Sequence, residues 1–433
     1  MKKTDIKDII SKKNIKWIQV HFTDLTGGLR VIHIPADRFL KDDVLKKGIN
    51  FDGSSVGFRR VEKSDMIALP EQETFNPIPY EKDEAIIIAN LYDTQYKAYR
   101  AGPRNILKNA IKKAKEDGYD KLIISPEMEF CCFKKTIDED ADLKQGISYF
   151  SPPPLDDLKE YRKKLSDVIT ESGYQVKYHH HEKGKFQHEI EVRGIEALKA
   201  ADFCNYFKFA AREIAVPYNM DITFMPKPLS EEAGNGMHAH IALYNKNKNM
   251  FLDNNNQYNL SKTALYFIGG ILEHSRGLAA FANPTLNSYK RLIPNFEAPI
   301  YIAWDQYNRS SLIRIPAKRN VDIEVRNADP AANPYLFFAA LIYAGLDGIK
   351  RKIMYKPVSR NIYQMTDEEI KKYKIKQLPT NLMESLEELQ KDKVLINGIG
   401  RDAIDLFIEK KIKEWNLYMG EITDLDYKFY FNC

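Results

Sequence analysis

Apolar and polar residues follow two distinct rhythms along this chain. Ile15 to Phe22 and Ala85 to Leu91 are rich in Ile, Val and aromatics, which predicts two strands in the first hundred residues. Between them Asp52-Gly53-Ser54-Ser55 is too polar for a core and reads as a turn. From Pro103 the rhythm becomes helical: Ile106, Leu107, Ala110, Ile111 and Ala114 share one face, Pro103 suits the first turn and Gly118 the stop. A strand over Leu122 to Phe133, a loop at Pro152-Pro153-Pro154 and an amphipathic helix from about Asp157 to Glu171 are predicted next. The apolar run Leu336 to Leu346 is too short to span a bilayer and predicts a buried core helix. From Asp367 onward the pattern is helical and charged. The aromatic tail Tyr427-Lys428-Phe429-Tyr430-Phe431 is unfavourable in water and is expected to dock on another surface, such as another subunit.

A chain of 433 residues exceeds the usual size of one domain. Strands interleaved with helices, without a repeat period, predict an α+β protein: a small domain over residues 1–101 and a catalytic domain with a helical tail over 102–433.

Four stretches set ligand-type side chains two residues apart in strand-like sequence. They are Glu127-Met128-Glu129, Glu189-Ile190-Glu191, His238-Ala239-His240 and Glu324-Val325-Arg326. A strand sends alternate side chains to one face, so each pair projects from the same side of a sheet. Any single pair also suits the wet face of a half-exposed strand. Four together crowd carboxylates and imidazoles that repel or desolvate one another unless cations and a polyphosphate neutralise them. The pattern therefore predicts a metal–nucleotide site on a curved antiparallel sheet. Neither GxxxxGK[ST] nor GxGxxG occurs, so the phosphates must be held through metal ions. Mg²⁺ and Mn²⁺ take oxygen ligands and an occasional imidazole, and Glu127, Glu129, Glu182, Glu189, His238 and Glu324 could supply two sites. Arg291, Arg309, Arg314, Arg319 and Arg326 add side chains suited to bidentate grip on phosphate and carboxylate. His179-His180-His181 lacks the HExxH or Cys/His partners of a zinc site, and structural, nucleotide-contacting or surface roles are expected.

Composition narrows the partners. Hydrophobic content of 44%, charged content of 29% and a net charge of +5 are those of a globular protein, and no dense Lys/Arg block points to nucleic acid. Cys131, Cys132, Cys204 and Cys433 form no CxxC pair, which fits reduced, buried thiols. With no hydrophobic signal core after Met1-Lys2-Lys3 and no spanning run, a cytoplasmic protein without a membrane partner is expected.

Longer motifs extend the picture. Asn50-Phe51-Asp52-Gly53-Ser54-Ser55, Pro126-Glu127-Met128-Glu129-Phe130, His180-His181-Glu182 with Gln187-His188-Glu189, Thr223-Phe224-Met225-Pro226-Lys227-Pro228, Gly236-Met237-His238, Asn287-Ser288-Tyr289-Lys290-Arg291-Leu292, Asn308-Arg309-Ser310 and Asp329-Pro330-Ala331-Ala332-Asn333-Pro334-Tyr335 occur in one order. In them the chain resembles the type I glutamine synthetase family, almost end to end. The resemblance implies a β-grasp-like first domain, a catalytic domain on a curved antiparallel sheet with flanking helices, and a dodecamer of two hexameric rings. It implies ATP, L-glutamate and ammonium as substrates and two or more Mg²⁺ or Mn²⁺ ions per site. Glu129, Glu182 and Glu189 match the ligands of the metal nearer the amino acid; Glu127, His238 and Glu324 match those of the metal holding the ATP phosphates. Arg309 and Arg314 match residues on the phosphates, His240 a nucleotide contact, and Arg291, Arg326 and Gly234 residues around glutamate. Glu297, in Asn295-Phe296-Glu297-Ala298-Pro299, matches a flap glutamate, and Asp52 the acid that takes a proton from ammonium and that in the family comes from the neighbouring subunit.

Ala233 before Gly234, Ala242 two residues past His240, and Asp322 two residues before Glu324 depart from the family pattern, the last by a reversal of charge. They keep open a γ-glutamyl ligase using another amine, and a non-catalytic glutamine-sensing relative; the intact metal set speaks against the latter. Arg60 aligns with an arginine that transmits glutamine feedback in one subgroup, and is equally well a plain surface arginine. Tyr363 sits where another subgroup is adenylylated, and no adenylylation is expected here.

Overall fold

The computed structural model describes residues 6–135, 148–294, 297–317 and 321–433. Arg319, the opening Met1 to Asp5, and Asn295 and Phe296 of the flap motif lie outside the described residues.

Strands β1 (Trp17–Thr23), β2 (Leu29–Pro35), β3 (Ile49–Asp52), β4 (Asp65–Pro70), β5 (Asn76–Pro77) and β6 (Glu84–Tyr92) form the first sheet, in the order β2-β1-β6-β4-β3 with β5 beside β6. β1 and β6 run parallel and the other pairs antiparallel. Ile18, Val20 and Phe22 alternate along β1 into the core, as their spacing predicts.

The second sheet comprises β7 (Lys121–Lys134), β8 (Val176–His181), β9 (Gln187–Val192), β10 (Ile195–Glu196), β11 (Met220–Thr223), β12 (Met237–Asn245), β13 (Lys248–Asn249), β14 (Tyr301–Gln306), β15 (Ser311–Ile315), β16 (Ile323–Val325) and β17 (Lys376–Gln377). Its path is β17-β14-β15-β16-β12-β7-β9-β8, with β10 and β11 also paired to β7 and β13 to β12. A wholly antiparallel sheet is corrected in one place, because β14 and β15 run parallel. β7 is the organising strand, pairing with β9, β10, β11 and β12 along its length. Cys131 and Cys132 face opposite ways on it, Cys131 toward Asn235 and Cys132 into the core. Three thiols are buried as expected; Cys433 is exposed, which corrects the fourth.

Helices flank this sheet. The helix Pro103–Glu116 starts on its proline, and the chain leaves it through Gly118 at φ +94°, a conformation glycine adopts freely. The helix Lys262–Ala282 is capped by Ser261, whose side chain accepts from Ala264 N. It crosses the Pro334–Arg351 helix, which contains the predicted apolar run, at Gly270 and Gly348. A Cβ on Gly270 would stand 2.1 Å from Ala344 O, and one on Gly348 2.1 Å from Tyr266 O, so backbone meets backbone there.

Two buried polar joints connect the first sheet to the rest. Asn333 caps its helix by accepting from Tyr335 N at 3.1 Å while its amide donates to Asp24 O at 3.0 Å. Arg104 donates from Nε and Nη2 to the two oxygens of Asp202, at 2.9 Å each, and from Nη1 to Asn90 at 2.7 Å and Glu71 at 2.5 Å. Tyr335 Oη donates to the same Asp202. Removing one partner of a buried pair strands the other charge, at about 3–5 kcal/mol. Arg104→Met is therefore expected to destabilise the fold by about that amount in chemical denaturation.

His274 ties three helices. Its Nδ1 lies 2.7 Å from Asp392, which caps the Lys393–Ile399 helix, and its Nε2 lies 3.0 Å from Asp347. Burial disfavours its charge, but Asp392 and Asp347 outweigh burial and raise its pKa. A pKa higher in the folded than in the unfolded state gives stability that is complete below the unfolded value of about 6.5 and is lost as pH rises through the folded value. Thermal unfolding of wild type and His274→Gln at a series of pH values should show the largest difference in Tm at mildly acid pH, narrowing toward alkaline pH.

Candidate active site

Strand register assembles the site. Glu127 on β7 stands opposite His238 on β12 and Glu191 on β9, Glu129 stands opposite Glu189, and His240 stands opposite Glu324 on β16. Directly opposed residues share a face, so all four sequence pairs meet on one side of the sheet. There Glu127, Glu129, Glu189, His238 and Glu324, joined by Glu182, line a cavity of about 570 Å³, while Glu191 and His240 line its neighbour. Gly234, Arg291, Glu297, Arg309, Arg314 and Arg326 line it as well, and Arg314 stands opposite Glu324 on the same face of the sheet.

The carboxylates divide by what faces them. Glu127 lies 2.7 Å from His240 Nε2 and 3.0 Å from His238 Nδ1. Burial opposes its charge, yet the two imidazoles prevail and hold its carboxyl well below the usual range. Glu324 is likewise held low against burial, by His240 and Arg326. Arg314 Nε donates to one of its oxygens and Arg326 Nε to the other, at 3.2 Å. Glu182 and Glu189 have fewer cationic neighbours. Burial and then Glu129 and Glu189 push Glu182 up to about 8, while burial, Glu127 and Glu129 push Glu189 upward too.

Two tight clusters could each hold a divalent cation, Glu127–His240–Glu324 and His180–Glu182–Glu189, with ligand atoms of each within 4.8 Å of one another. Crowded oxygens that resist ionisation together fit Mg²⁺ or Mn²⁺. The clusters differ from the expected triads in one member each. His240 is tighter on Glu127 than His238, which bridges the halves at 3.0 Å from Glu127 and 3.8 Å from Glu129. His180 joins Glu189 at 3.3 Å, while Glu129 accepts from Gly236 N at 2.7 Å and Gln187 Nε2 at 2.8 Å. Glu191 turns aside to Lys177, at 2.5 Å.

The loop Ala233–Gly236 must be small. A Cβ on Gly234 would stand 2.4 Å from Pro226 O and 2.9 Å from Arg291 Cγ. Arg291 is held by donating to Asn327 O at 2.7 Å, and its buried Nε has no partner among the described residues. Arg326 Nη1 donates to Arg309 O, which links two of the arginines through the backbone. Glu297, exposed and at φ +63°, pairs with Lys183 at 2.9 Å across the cavity mouth. Tyr363 Oη donates to Ala298 O at 2.8 Å beside it.

Two expected residues stand apart. Asp52 does not line the cavity of its own chain; it accepts from Ser54 N and Oγ and from Ser55 Oγ, and these bonds lower its pKa to about 2. His240 faces a neighbouring cavity of about 480 Å³, shared with Ala242 and Asp322. Asp322 lies 3.1 Å from His240 Nδ1, so the charge reversal acts on the histidine directly.

Sequence reasoning missed Tyr149, Phe150, Tyr178 and Lys183, which also line the main cavity. The rings of Tyr149 and Phe150 stand edge-on to His180, at 5.4 and 4.6 Å. Phe150 holds φ +62°, and such a turn leaves no periodic signal in sequence. Of the histidine run only His180 reaches the cavity. His179 and His188 lean on Arg162, itself paired with Asp156, and His181 contacts the carbonyls of Glu182 and Lys185.

Comparison with known proteins agrees with this arrangement. Residues 14–94 match the sequence profile of the glutamine synthetase beta-Grasp domain and residues 100–430 that of the glutamine synthetase catalytic domain. Glutamine synthetase of Pyrococcus furiosus is 43% identical over 95% of this chain and 92% of its own. That of Thermus thermophilus is 39% identical over 96% of each, and that of Staphylococcus aureus 36% over 98% and 96%. Among solved structures, ligand-free GmaS superposes with a TM-score of 0.90 at 29% identity, over 99% of this chain and all of that one. The glutamine synthetase of Plasmodium falciparum does so at 0.88 and 26%, over 99% of each. Identity of this extent across both domains leaves one conclusion: the chain belongs to the glutamine synthetase family.

Proposed function

We propose that this chain is an ATP-dependent glutamate–ammonia ligase that makes L-glutamine, ADP and phosphate by way of γ-glutamyl phosphate. The observation that carries the reading is the single cavity in which six ligand-type side chains face Arg291, Arg309, Arg314 and Arg326. Divalent metal and ATP use and oligomeric assembly are general to the family.

The central difficulty is electrostatic, since a carboxylate must attack the phosphorus of a polyanion. Mg²⁺ or Mn²⁺ held by Glu129, Glu182 and Glu189 on one side and by Glu127, His238 and Glu324 on the other would neutralise both anions. Arg309 and Arg314 stabilise negative charge on the transferred phosphoryl group, with Glu324 holding Arg314 in place. Arg291 and Arg326 grip glutamate beside Gly234, where the bare backbone leaves room. His240 contacts the nucleotide from the adjoining cavity.

In the first step a γ-carboxylate oxygen of glutamate attacks the γ-phosphorus and the bond to ADP breaks. In the second, ammonia attacks the acyl carbon, the bond to phosphate breaks, and the surplus proton on nitrogen leaves with the phosphate as hydrogen phosphate. Asp52, kept ionised by Ser54 and Ser55, gathers ammonium with its negative charge and takes a proton from it, which leaves the nucleophilic ammonia. Its absence from its own chain's cavity supports a neighbouring copy as the supplier. Glu297 closes the mouth so that water does not reach the acyl phosphate. The exposed rings of Tyr427, Phe429, Tyr430 and Phe431 give further support to a homo-oligomer, and we read it as a dodecamer of two hexameric rings.

Phosphate release from Mg·ATP and glutamate, assayed with ammonium, with small amines and with neither, tests the reading. Ammonium-dependent turnover with one glutamine per phosphate is expected; turnover with another amine alone would overturn it. Metal binding is separable from turnover. Millimolar Mg²⁺ or Mn²⁺ should raise the Tm of the ligand-free protein, by about 2.7 kcal/mol of stability at a hundredfold excess over Kd. The rise should reverse with chelator and shrink in Glu189→Ala.

A further inference from the structure

A second large cavity, of about 600 Å³, lies where the turn after β1 meets the last turns of the Ala197–Ala215 helix and the segment at Pro330. Gly27, Lys208, Arg212, Phe224, Pro330 and Lys411 are among its lining residues, and none of them lines the catalytic cavity. Lys208 and Arg212 stand four residues apart, on one face of the helix. Like charges at this spacing repel.

The described residues neutralise the pair only in part, through Asp329, which favours the Lys208 charge from beyond ion-pair distance. Among the described residues Lys208 Nζ donates to Pro330 O at 3.1 Å and has no carboxylate within ion-pair distance. The Arg212 guanidinium lies 5.0 Å from the centre of the Phe224 ring and donates to Lys208 O at 3.5 Å, again with no carboxylate partner. Glu213 also lines the cavity and forms no ion pair with either, and Glu414 is taken by Lys411 at 2.7 Å. Burial, with Arg212 adding to it and Asp329 opposing, pushes the Lys208 ammonium down to about 8. The guanidinium rests against the Phe224 ring, and its donors beyond the one given to Lys208 O are available to a planar or tetrahedral oxyanion.

We propose that this cavity is an anion-binding site, in which Lys208 and Arg212 together grip a small phosphate- or carboxylate-bearing ligand. The site is independent of the reading given to the catalytic cavity. A ligand there bears on catalysis through Pro330, because the same segment carries Arg326 and the Asn327 carbonyl that holds Arg291.

The test uses the full-length assembled protein with its catalytic cavity filled by saturating Mg²⁺ and a non-hydrolysable ATP analogue. Inorganic phosphate in one calorimetric titration and succinate in another probe the remaining site. The expected result is one anion per chain, with affinity about tenfold or more weaker in Arg212→Gln, whose exposed side chain is not needed for folding. Lys208→Met should weaken binding likewise. Binding of phosphate alone identifies a phosphorylated ligand, and of succinate alone a carboxylate. Absence of binding to wild type by both probes, or equal affinity in wild type and Arg212→Gln, would overturn the proposal.

Discussion

Everything in the site depends on the alternation of side chains along β7, which sets Glu127 and Glu129 on one face with β9 and β12 on either side. Once the neighbouring strands register, Glu189, His238, His240 and Glu324 have nowhere else to point. A sheet face so rich in anions is unstable as a bare surface. The protein partly answers this with His238, His240, Arg314 and Arg326, which draw Glu127 and Glu324 into their ionised forms. It leaves the Glu182 and Glu189 side less compensated, and there burial and neighbouring carboxylates push both carboxyls toward their neutral forms.

The scaffold around this face is stiff for a different reason. Its polar joints are buried and multiply bonded, as at Arg104 and Asn333, and each spans long distances in sequence. Such joints contribute more to a unique arrangement of the two sheets than to net stability, because their desolvation offsets much of their attraction. Two arginines lining the cavity use the same device in miniature. Carbonyls of Asn327 and Arg309 hold Arg291 and Arg326, so the charges are positioned before any anion arrives.

Much of this was legible in the sequence, and unevenly so. The period-two pairs in β7, β9, β12 and β16 read correctly because a strand converts spacing into facing with no further information. The helices Pro103–Glu116 and Pro334–Arg351 read correctly because their apolar faces and terminal signals agree. What could not be read is what depends on tertiary approach. That His240 rather than His238 closes most tightly on Glu127, and that Asp322 is its other partner, are facts of rotamer and register. Tyr149 and Phe150 arrive through a turn with positive φ and no pattern. The parallel pairing of β14 and β15 leaves no local trace either, since strand direction is a property of the connection.

The crossing at Gly270 and Gly348 has a consequence for motion. Where backbone rests on backbone there are no side chains to change rotamer, and therefore no soft coordinate along which the two helices can slide. A shift of one residue would bring a larger neighbour into a space that has no room for a methyl group. Motion that admits and releases ligands therefore does not run through a slide at this crossing, which behaves as a fixed bearing.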